Sequence, residues 1–577
     1  MLCALAPIAA QAQGNDVPFG NDAYHIIDRL DIKTETETPI FTGTRPLKRG
    51  TITQLALVLD TLKTTELRSD DRRDLFYIYK DNNLLLRNKT EDCPDDDKYI
   101  LSEKPIFNLF YKTPANLYEV NTPHFAMSVN PILDVSVGRE INLDRTIFNN
   151  TRGLRIEAAI DNKVWFSSTL YENQTRFASY IDRDVREKDY VPGGGYYKVF
   201  ASRYLKGVTD AKDYFNAEAA VSVQATKHIG VQFGHGRNFI GEGYRSLFLS
   251  DYGMNYFYLK LNTKVWKFDY QNIFAELTRD NVAIGGSRLD TLLGKKYLAA
   301  HHLSFRPFKN LTIGAYEAVV FSRREHFEFQ YLNPVIFYRT VEQFLGSSDN
   351  ALIGLDAKWN VLHRGQIYGQ FILDEFKLSE ILSSRGSWVN KYGLQLGAKY
   401  IDMLGVSHLD GQIEYNMVRP YTYSHRDFTA NYTSNNQPLA HPYGANFNEI
   451  LGIIRYQPIK KLQIRAQFAL ANVGKDSVAL NTIGGFMGYT NNMGGNPLQP
   501  YATRARDFGN TVAQGNTSKI TTLGLLISYQ IKHNLNIDLT MQRRTEQNTL
   551  AYYQNISNYV GIGMRFNVGN RNIAQWQ

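Results

Sequence analysis

Three groupings of residues have types that do chemistry elsewhere. His301 and His302 stand side by side, but a zinc-binding pair needs the i, i+4 spacing of one helix face, and adjacent strand residues point to opposite sides. Ser424, His425 and Asp427 hold the side chains of a serine hydrolase. Closeness in sequence does not produce the triad geometry, which depends on the fold. The glycines of Gly234-His-Gly-Arg-Asn-Phe-Ile-Gly-Glu-Gly-Tyr-Arg245 match neither a dinucleotide fingerprint nor a phosphate loop ending in Gly-Lys-Ser/Thr. No catalytic residue, metal site or cofactor is expected, and the chain reads as a non-enzyme.

Composition supports a folded body with wide amphipathic surfaces. Of 577 residues, 43% are hydrophobic and 21% charged, and 37 Tyr with 32 Phe bring the aromatic share to 13%. Tyrosine suits a surface that is apolar on one side and wet on the other. The formal charge of +8 is mild and nowhere concentrated, which removes nucleic acid from the expected partners. Cysteines occur at Cys3 and Cys93 alone, which excludes a disulfide-rich scaffold.

The first twelve residues, MLCALAPIAAQA, are apolar and end in Ala10-Gln11-Ala12, the pattern of an export signal with its cleavage site. From 13 to about 100 the periodicity is helical or mixed. Ile52, Leu55, Leu57, Leu59 and Leu62 form a stripe, and Ser69-Asp70-Asp71 precedes a second helix through Tyr79. An Asp-rich, Pro94-containing linker follows. The period then becomes two to the end of the chain, as in Leu462-Gln-Ile-Arg-Ala-Gln-Phe-Ala-Leu470. One face meets apolar material and the other water.

These strands are joined alternately by very short links, near Asp161-Asn162, Asn262-Thr263 and Lys460-Lys461, and by long polar loops, near 174–213, 279–296, 323–350, 376–391, 421–448 and 474–518. That alternation belongs to a transmembrane β-barrel. The expected fold is all-β: a closed antiparallel barrel of about 18 strands over 101–577, preceded by a small periplasmic helical domain. Nineteen segments read as strands, and because bacterial barrels hold an even number, the first, 105–112, is assigned to the linker. Lumen-facing positions are read as polar. Two outer loops offer sugar chemistry: Tyr421 and Tyr423 in one, Tyr489, Asn491 and Asn492 in the Gly484–Gly495 stretch of the other. Tyrosine faces stack on sugar rings and amides bond their hydroxyls.

The chain resembles the Wzi family of outer-membrane capsule-assembly proteins, in its Bacteroidetes branch with the gliding-associated RemB-like proteins. The resemblance lies in Tyr24-His-Ile-Ile-Asp-Arg-Leu-Asp-Ile32, Arg45-Pro-Leu-Lys-Arg49, Gly236-Arg-Asn-Phe-Ile-Gly-Glu-Gly-Tyr-Arg-Ser-Leu-Phe-Leu-Ser-Asp251, Leu332-Asn-Pro334 and His441-Pro-Tyr-Gly-Ala-Asn-Phe-Asn-Glu449. It implies an 18-stranded barrel of the outer membrane, with lipid and lipopolysaccharide around it, that anchors or assembles surface polysaccharide. Envelope proteins are further possible partners. The implied motif positions are Arg45, Pro46, Arg49, Arg237, Gly241, Gly243, Asn333, Pro334 and Glu449, mainly structural, with Tyr244 and Arg245 as sugar contacts on an external loop. A diffusion porin and an accessory subunit of a larger outer-membrane complex stay open as alternatives.

Overall fold

The structure, a computed structural model, describes residues 14–35, 40–62, 67–68, 70–86, 102, 105–107, 109–202, 207–279, 293–323, 326–346, 349–478, 489–548 and 554–570. The expected export signal lies outside these residues. Eighteen antiparallel strands close on themselves. They are β1 (Phe125–Glu140), β2 (Arg145–Ile160), β3 (Val164–Arg176), β4 (Ala211–Gln224), β5 (Ile229–Gly236), β6 (Tyr256–Val265), β7 (Phe268–Thr278), β8 (Lys295–Phe308) and β9 (Leu311–Phe321). The circle continues with β10 (Asn350–Val361), β11 (Gly365–Glu375), β12 (Lys391–Tyr400), β13 (Leu409–Val418), β14 (Phe447–Ile459), β15 (Leu462–Lys475), β16 (Asn516–Lys532), β17 (Leu535–Asn548) and β18 (Gln554–Phe566). Pairing of β18 with β1, from Tyr559 opposite Glu140 to Phe566 opposite Leu133, completes the cylinder. Closure leaves no unpaired sheet edge, the condition for crossing a bilayer with strands.

The outer wall carries the apolar half of each alternation. Leu170, Phe233, Leu355, Ile413, Leu523 and Ile562 all stand exposed on it. A continuous band of this kind is the lipid-facing surface of a transmembrane barrel. The expected turn at Asn262-Thr263 is displaced: both residues lie within β6, and the chain reverses at Trp266 and Lys267. Period-two alternation runs unbroken through both strands, so it does not mark the reversal; Trp266, at φ 55°, does. The described residues of 105–112 form no barrel strand and hold an isolated Ile106–Phe110 bridge.

The helical segment sits within the short-turn end of the cylinder, with α1 (Ala23–Thr34), α2 (Arg49–Leu62) and α3 (Asp71–Asp81) packed around Ile27, Leu30, Ile52, Leu59, Leu75 and Ile78. Ion pairs are prominent among its contacts with the wall. Arg29 and Lys33 of α1 meet Asp402 in the turn between β12 and β13, at 3.0 and 2.7 Å. Lys358 and Lys399 on the wall meet Asp31 and Asp28, at 3.1 and 2.8 Å. Arg49 at the start of α2 bridges Asp81 and the wall residue Glu157, at 2.8 and 3.0 Å. The segment is a plug bonded to the lumen wall.

The upper lumen departs from the expected polar interior. Loop 237–255, between β5 and β6, and loop 419–446, between β13 and β14, fold inward. Their Leu247, Phe248, Tyr423, Tyr432 and Ala440 pack with inward residues of the wall such as Tyr316, Leu352, Ile372 and Val418. Phe248 and Tyr316 stack with ring centroids 4.7 Å apart. The apolar lumen residues exist because protein, and not water, fills that half of the barrel.

Residues 327–345, between β9 and β10, take the opposite course and lie on the outer wall. Tyr331, Tyr338 and Val341, the last two on α4 (Tyr338–Leu345), cover Phe274, Ala299 and Val319. The loop also covers two polar residues that alternation aims at lipid. His301 Nε2 lies 2.9 Å from Glu317 Oε2, the His301 ring stacks on Tyr338, and the Arg339 backbone N–H donates to Glu317 Oε1 at 3.0 Å.

Candidate functional site

The residue runs weighed above for chemistry are engaged in other contacts. Ser424 donates its hydroxyl to the Tyr421 carbonyl at 2.6 Å, and His425 Nδ1 accepts from the Asp427 backbone N–H, so neither side chain activates the other. His301 faces the outer-wall loop while His302 faces the lumen, 2.7 Å from Asp356. Asp71, Asp74 and His408 bring metal-type ligand atoms together, yet Arg29 reaches Asp71 and Asp74 at 3.1 and 3.4 Å. A guanidinium already supplies the positive charge there, and a second cation beside it is disfavoured.

The residues expected on an external loop are the bolts of the inward one. Arg245 is buried and ion-paired with Glu449 at 3.3 Å; Glu449 also accepts from Asn416 and lies 2.9 Å from His441 Nε2. The backbone N–H groups of Tyr244 and Arg245 donate to the two oxygens of Glu414, at 2.8 and 3.1 Å. Tyr244 and Arg245 therefore point into the barrel, which corrects their expected exposure, and Glu449 is buried on β14 close to its long-loop end. Gly241, at φ 153°, passes so close to Gln370 that a Cβ would meet its amide nitrogen at 2.8 Å, and a Cβ on Gly243 would collide with Glu414. Only glycine allows the loop to run along those two wall side chains.

The other motif positions hold segments together. Arg45, which precedes a cis peptide to Pro46, pairs in backbone register with Phe239 and lies over the rings of Tyr24 and Phe239. Arg237 bonds Glu218 at 3.2 Å and the Asp251 carbonyl at 2.8 Å. Asn333 accepts from the Val335 backbone N–H, and the Pro334 carbonyl accepts from the Tyr270 hydroxyl. The charges around α1 shift accordingly. Burial alone would raise the Asp402 carboxyl, but the Arg29 guanidinium and Lys33 outweigh it and hold it at about 2. Asp28 is held at about 2 in the same way, by Lys399 and Arg45 against burial.

At the long-loop end the expected sugar-binding residues are again mostly interior. Tyr423 is buried and donates to the Leu247 carbonyl at 2.8 Å; Tyr421 is buried and donates to the Asn492 carbonyl at 2.9 Å. The buried amide of Asn492 donates to the Pro500 carbonyl and to the Thr503 hydroxyl, at 3.1 and 3.0 Å. Asn491 is exposed, and the side chain of Tyr489 lies outside the described residues. Tyr421 and Asn492 thus form the base that shapes the 496–510 stretch.

On that base lies an aromatic platform that sequence reasoning missed. Trp388, from loop 376–390, and Tyr501, from loop 476–515, have ring centroids 4.8 Å apart and are both half-buried. Arg504 lies over Trp388 at 4.2 Å, and Lys391 over Tyr501 at 4.7 Å. Next to them Arg385 covers exposed Phe508 at 4.5 Å. Half-exposed rings edged by guanidinium donors form a surface able to stack on a sugar face while bonding its hydroxyl or acidic groups. The only sequence cue was aromatic residues in two polar loops, separated by more than a hundred positions; their meeting depends on the closure of the barrel.

No family model matches the chain, and no curated protein matches it by sequence. Among solved structures it is similar to Wzi, described as an outer-membrane protein involved in group 1 capsule assembly in Escherichia coli and as a carbohydrate-binding β-barrel. The two share 14% identity over 96% of this chain and 99% of that one, with a TM-score of 0.53. OprD of Pseudomonas aeruginosa aligns at 11% identity over 76% of this chain and 94% of that one, at a TM-score of 0.40. OccAB4 of Acinetobacter baumannii aligns at 7% identity over 77% and 97%, at 0.39. The likeness to Wzi shows a shared fold, a closed 18-stranded antiparallel barrel.

Proposed function

We propose that this chain is a non-enzymatic barrel of the Gram-negative outer membrane that holds capsular or exopolysaccharide at the cell surface. The short-turn end, with its helical plug, faces the periplasm, and the long-loop end faces outward. One observation carries the reading: the platform of Trp388, Tyr501 and Arg504 stands on the long-loop face of a barrel whose lumen is filled by its own chain. A filled lumen suits attachment and does not suit diffusion. The motif order described above supports a place beside the Bacteroidetes branch of the Wzi family, with adhesion and gliding as the cellular setting.

The test is binding of purified polysaccharides from a Gram-negative capsule panel to the full chain in detergent, compared with a W388A/Y501A double variant. Specific binding that falls at least tenfold in the variant supports the reading. Binding that ignores the substitutions, or no binding beside steady ion conductance, overturns it in favour of another surface or a porin.

A further inference from the structure

Alternation along β17 turns Ile537, Leu539, Met541, Arg543 and Thr545 outward, so one arginine stands in a row that faces lipid. Outward positions of β14 to β18 hold one other cation, Lys519 of β16, and no carboxylate. Among the described residues no group pairs with the Arg543 guanidinium. An open groove of about 530 Å³ starts at Arg543 and crosses the outer wall from β18 to β14. We propose that this groove holds one lipid of the outer leaflet, a phosphorylated and acylated glycolipid, with a phosphate on Arg543 and an acyl chain along the groove.

The strand register gives the height of Arg543 in the bilayer. From it the line of opposed residues runs through Leu523, Phe468, Gly452 and Ile413 and on to Leu311, eight strands away beside a short turn. Strands about 4.8 Å apart and tilted by about 40° change height by about 3 Å at each step, so Arg543 stands roughly 25 Å above the short-turn rim. The apolar band of such a barrel is about 25 Å tall, which puts Arg543 at its upper edge. In the other direction one step reaches Asn558, whose backbone N–H donates at 2.9 Å to Asn142 in the turn between β1 and β2, on the long-loop rim. An arginine on the lipid face is costly at the midplane and tolerated at headgroup level, where the anions are lipid phosphates.

The groove fits an acyl chain beneath an anchored phosphate. It descends from Arg543 and Asn558 past Leu523, Met541 and the short side chain of Ala466 to Ile454. The Phe468 ring lies over Gly452, where a Cβ would collide with it, so glycine lets the ring lie flat on β14 as one apolar wall. At the top, the planar guanidinium offers paired N–H donors that match phosphate oxygens. Nearer the rim, Thr521 and Thr545 are direct cross-strand partners, and exposed Lys519 stands one outward position beyond Thr521. Hydroxyls and a second cation thus lie at the height of a phosphorylated sugar headgroup.

The experiment is native mass spectrometry of the detergent-solubilised full chain with lipid A, lipid A stripped of its phosphates, and phosphatidylglycerol, with inorganic phosphate as competitor. It is repeated on R543Q, R543K and A466F. Expected are one retained lipid A, binding at least tenfold weaker for the stripped form and for phosphatidylglycerol, which lacks the sugar, and no displacement by inorganic phosphate. R543Q should lose at least tenfold, R543K should stay within about threefold of the parent, and A466F, whose ring fills the groove, should also weaken binding. Lipid-free R543Q is expected to melt with the parent, because Arg543 is exposed and bonded to no other side chain, so lost binding is not lost folding. Lipid A binding that ignores R543Q, or that is equal for the stripped form, overturns the proposal. Loss in R543Q with A466F unchanged overturns the seat of the acyl chain, and displacement by inorganic phosphate overturns the lipid assignment in favour of a free anion site. The inference rests on the outward placement of the long-loop end, so phosphatidylglycerol binding as tightly as lipid A overturns it too. It does not rest on polysaccharide binding, which is read separately at Trp388 and Tyr501.

Discussion

Arg29 of the first helix donates to Asp410 Oδ2 at 2.6 Å, joining residue 29 to a wall strand 381 residues later in the chain. The same guanidinium reaches Asp402 at 3.0 Å and Asp71 at 3.1 Å, so one cation holds α1, α3 and the β12–β13 turn. R29A leaves four buried carboxylates, Asp71, Asp74, Asp402 and Asp410, without it, and removing one partner of a buried ionic network costs about 3–5 kcal/mol. The expected outcome is a large loss of amide-exchange protection in α1 and α3 with protection in the wall strands intact. Equal loss in plug and wall would show that the helices are an integral layer of the barrel and not a docked element.

The same ion pairs set an acid limit on docking. Asp402 and Asp28 are both held at about 2, below the ~3.9 of an unfolded aspartate. A carboxyl with a depressed folded pKa contributes stability that is fully present above its unfolded value and lost as pH falls through its folded one. Each contributes on the order of 2 kcal/mol at neutral pH. Protection of α1 should therefore be flat from pH 7 to about pH 4 and fall between about pH 4 and pH 2. D402N should remove part of that step and lower protection at pH 7; a step unchanged in D402N would assign it to other carboxylates.

The strand count and the two unequal rims were legible because each barrel strand alternates in hydropathy and each turn is short. Direction within a loop was not. Arg245 and Tyr244 belong to a polar, glycine-rich stretch, which reads as an exposed loop, and the fact that decides their burial, Glu414 and Glu449 waiting on β13 and β14, lies some 170 to 200 positions away. The lumen residues Tyr316, Leu352 and Val418 were the available hint of a filled interior, since an aqueous pore has no use for apolar side chains turned inward. The sugar platform was hidden for the same reason. Tyr421 and Asn492 have the residue types of a binding surface, but those types also build buried loop scaffolds, and composition does not separate the two.

The loop on the outer wall gives a prediction about the lipid side. His301 and Glu317 face outward from β8 and β9 and are satisfied by each other, by Tyr270 and by α4. Y338A removes the ring stacked on His301 at 4.6 Å and opens this pair to hydrocarbon. Truncating a buried aromatic costs about 3–5 kcal/mol, and bringing the pair toward lipid adds to it. The variant should unfold at lower denaturant concentration in lipid vesicles, while H301L/E317L, which makes the covered wall apolar, should recover part of the loss in the Y338A background. No recovery would mean that Tyr338 acts through packing alone.

The two fillings of the barrel are anchored to the wall by different contacts and meet each other at the short pairing of Arg45 with Phe239, which determines what a conductance experiment sees. The helices occupy the short-turn half through ion pairs, whereas loops 237–255 and 419–446 occupy the long-loop half through apolar packing and the Arg245–Glu449 pair. Removing residues 14–86 empties the lower half only, so the truncated barrel should stay silent in a planar bilayer. Conductance should appear when the upper filling is loosened as well. F248A deletes a ring with no exposed surface, at a cost of about 3–5 kcal/mol, and R245A leaves Glu449 buried beside a neutral His441, whose own proton affinity burial lowers. Either substitution in the truncated background should give flickering openings, and neither should do so in the full chain, where the plug still closes the other end. Steady current from the truncated protein with both loops intact would mean that water threads between the inward loops and the wall, and the barrel would then have one gate instead of two.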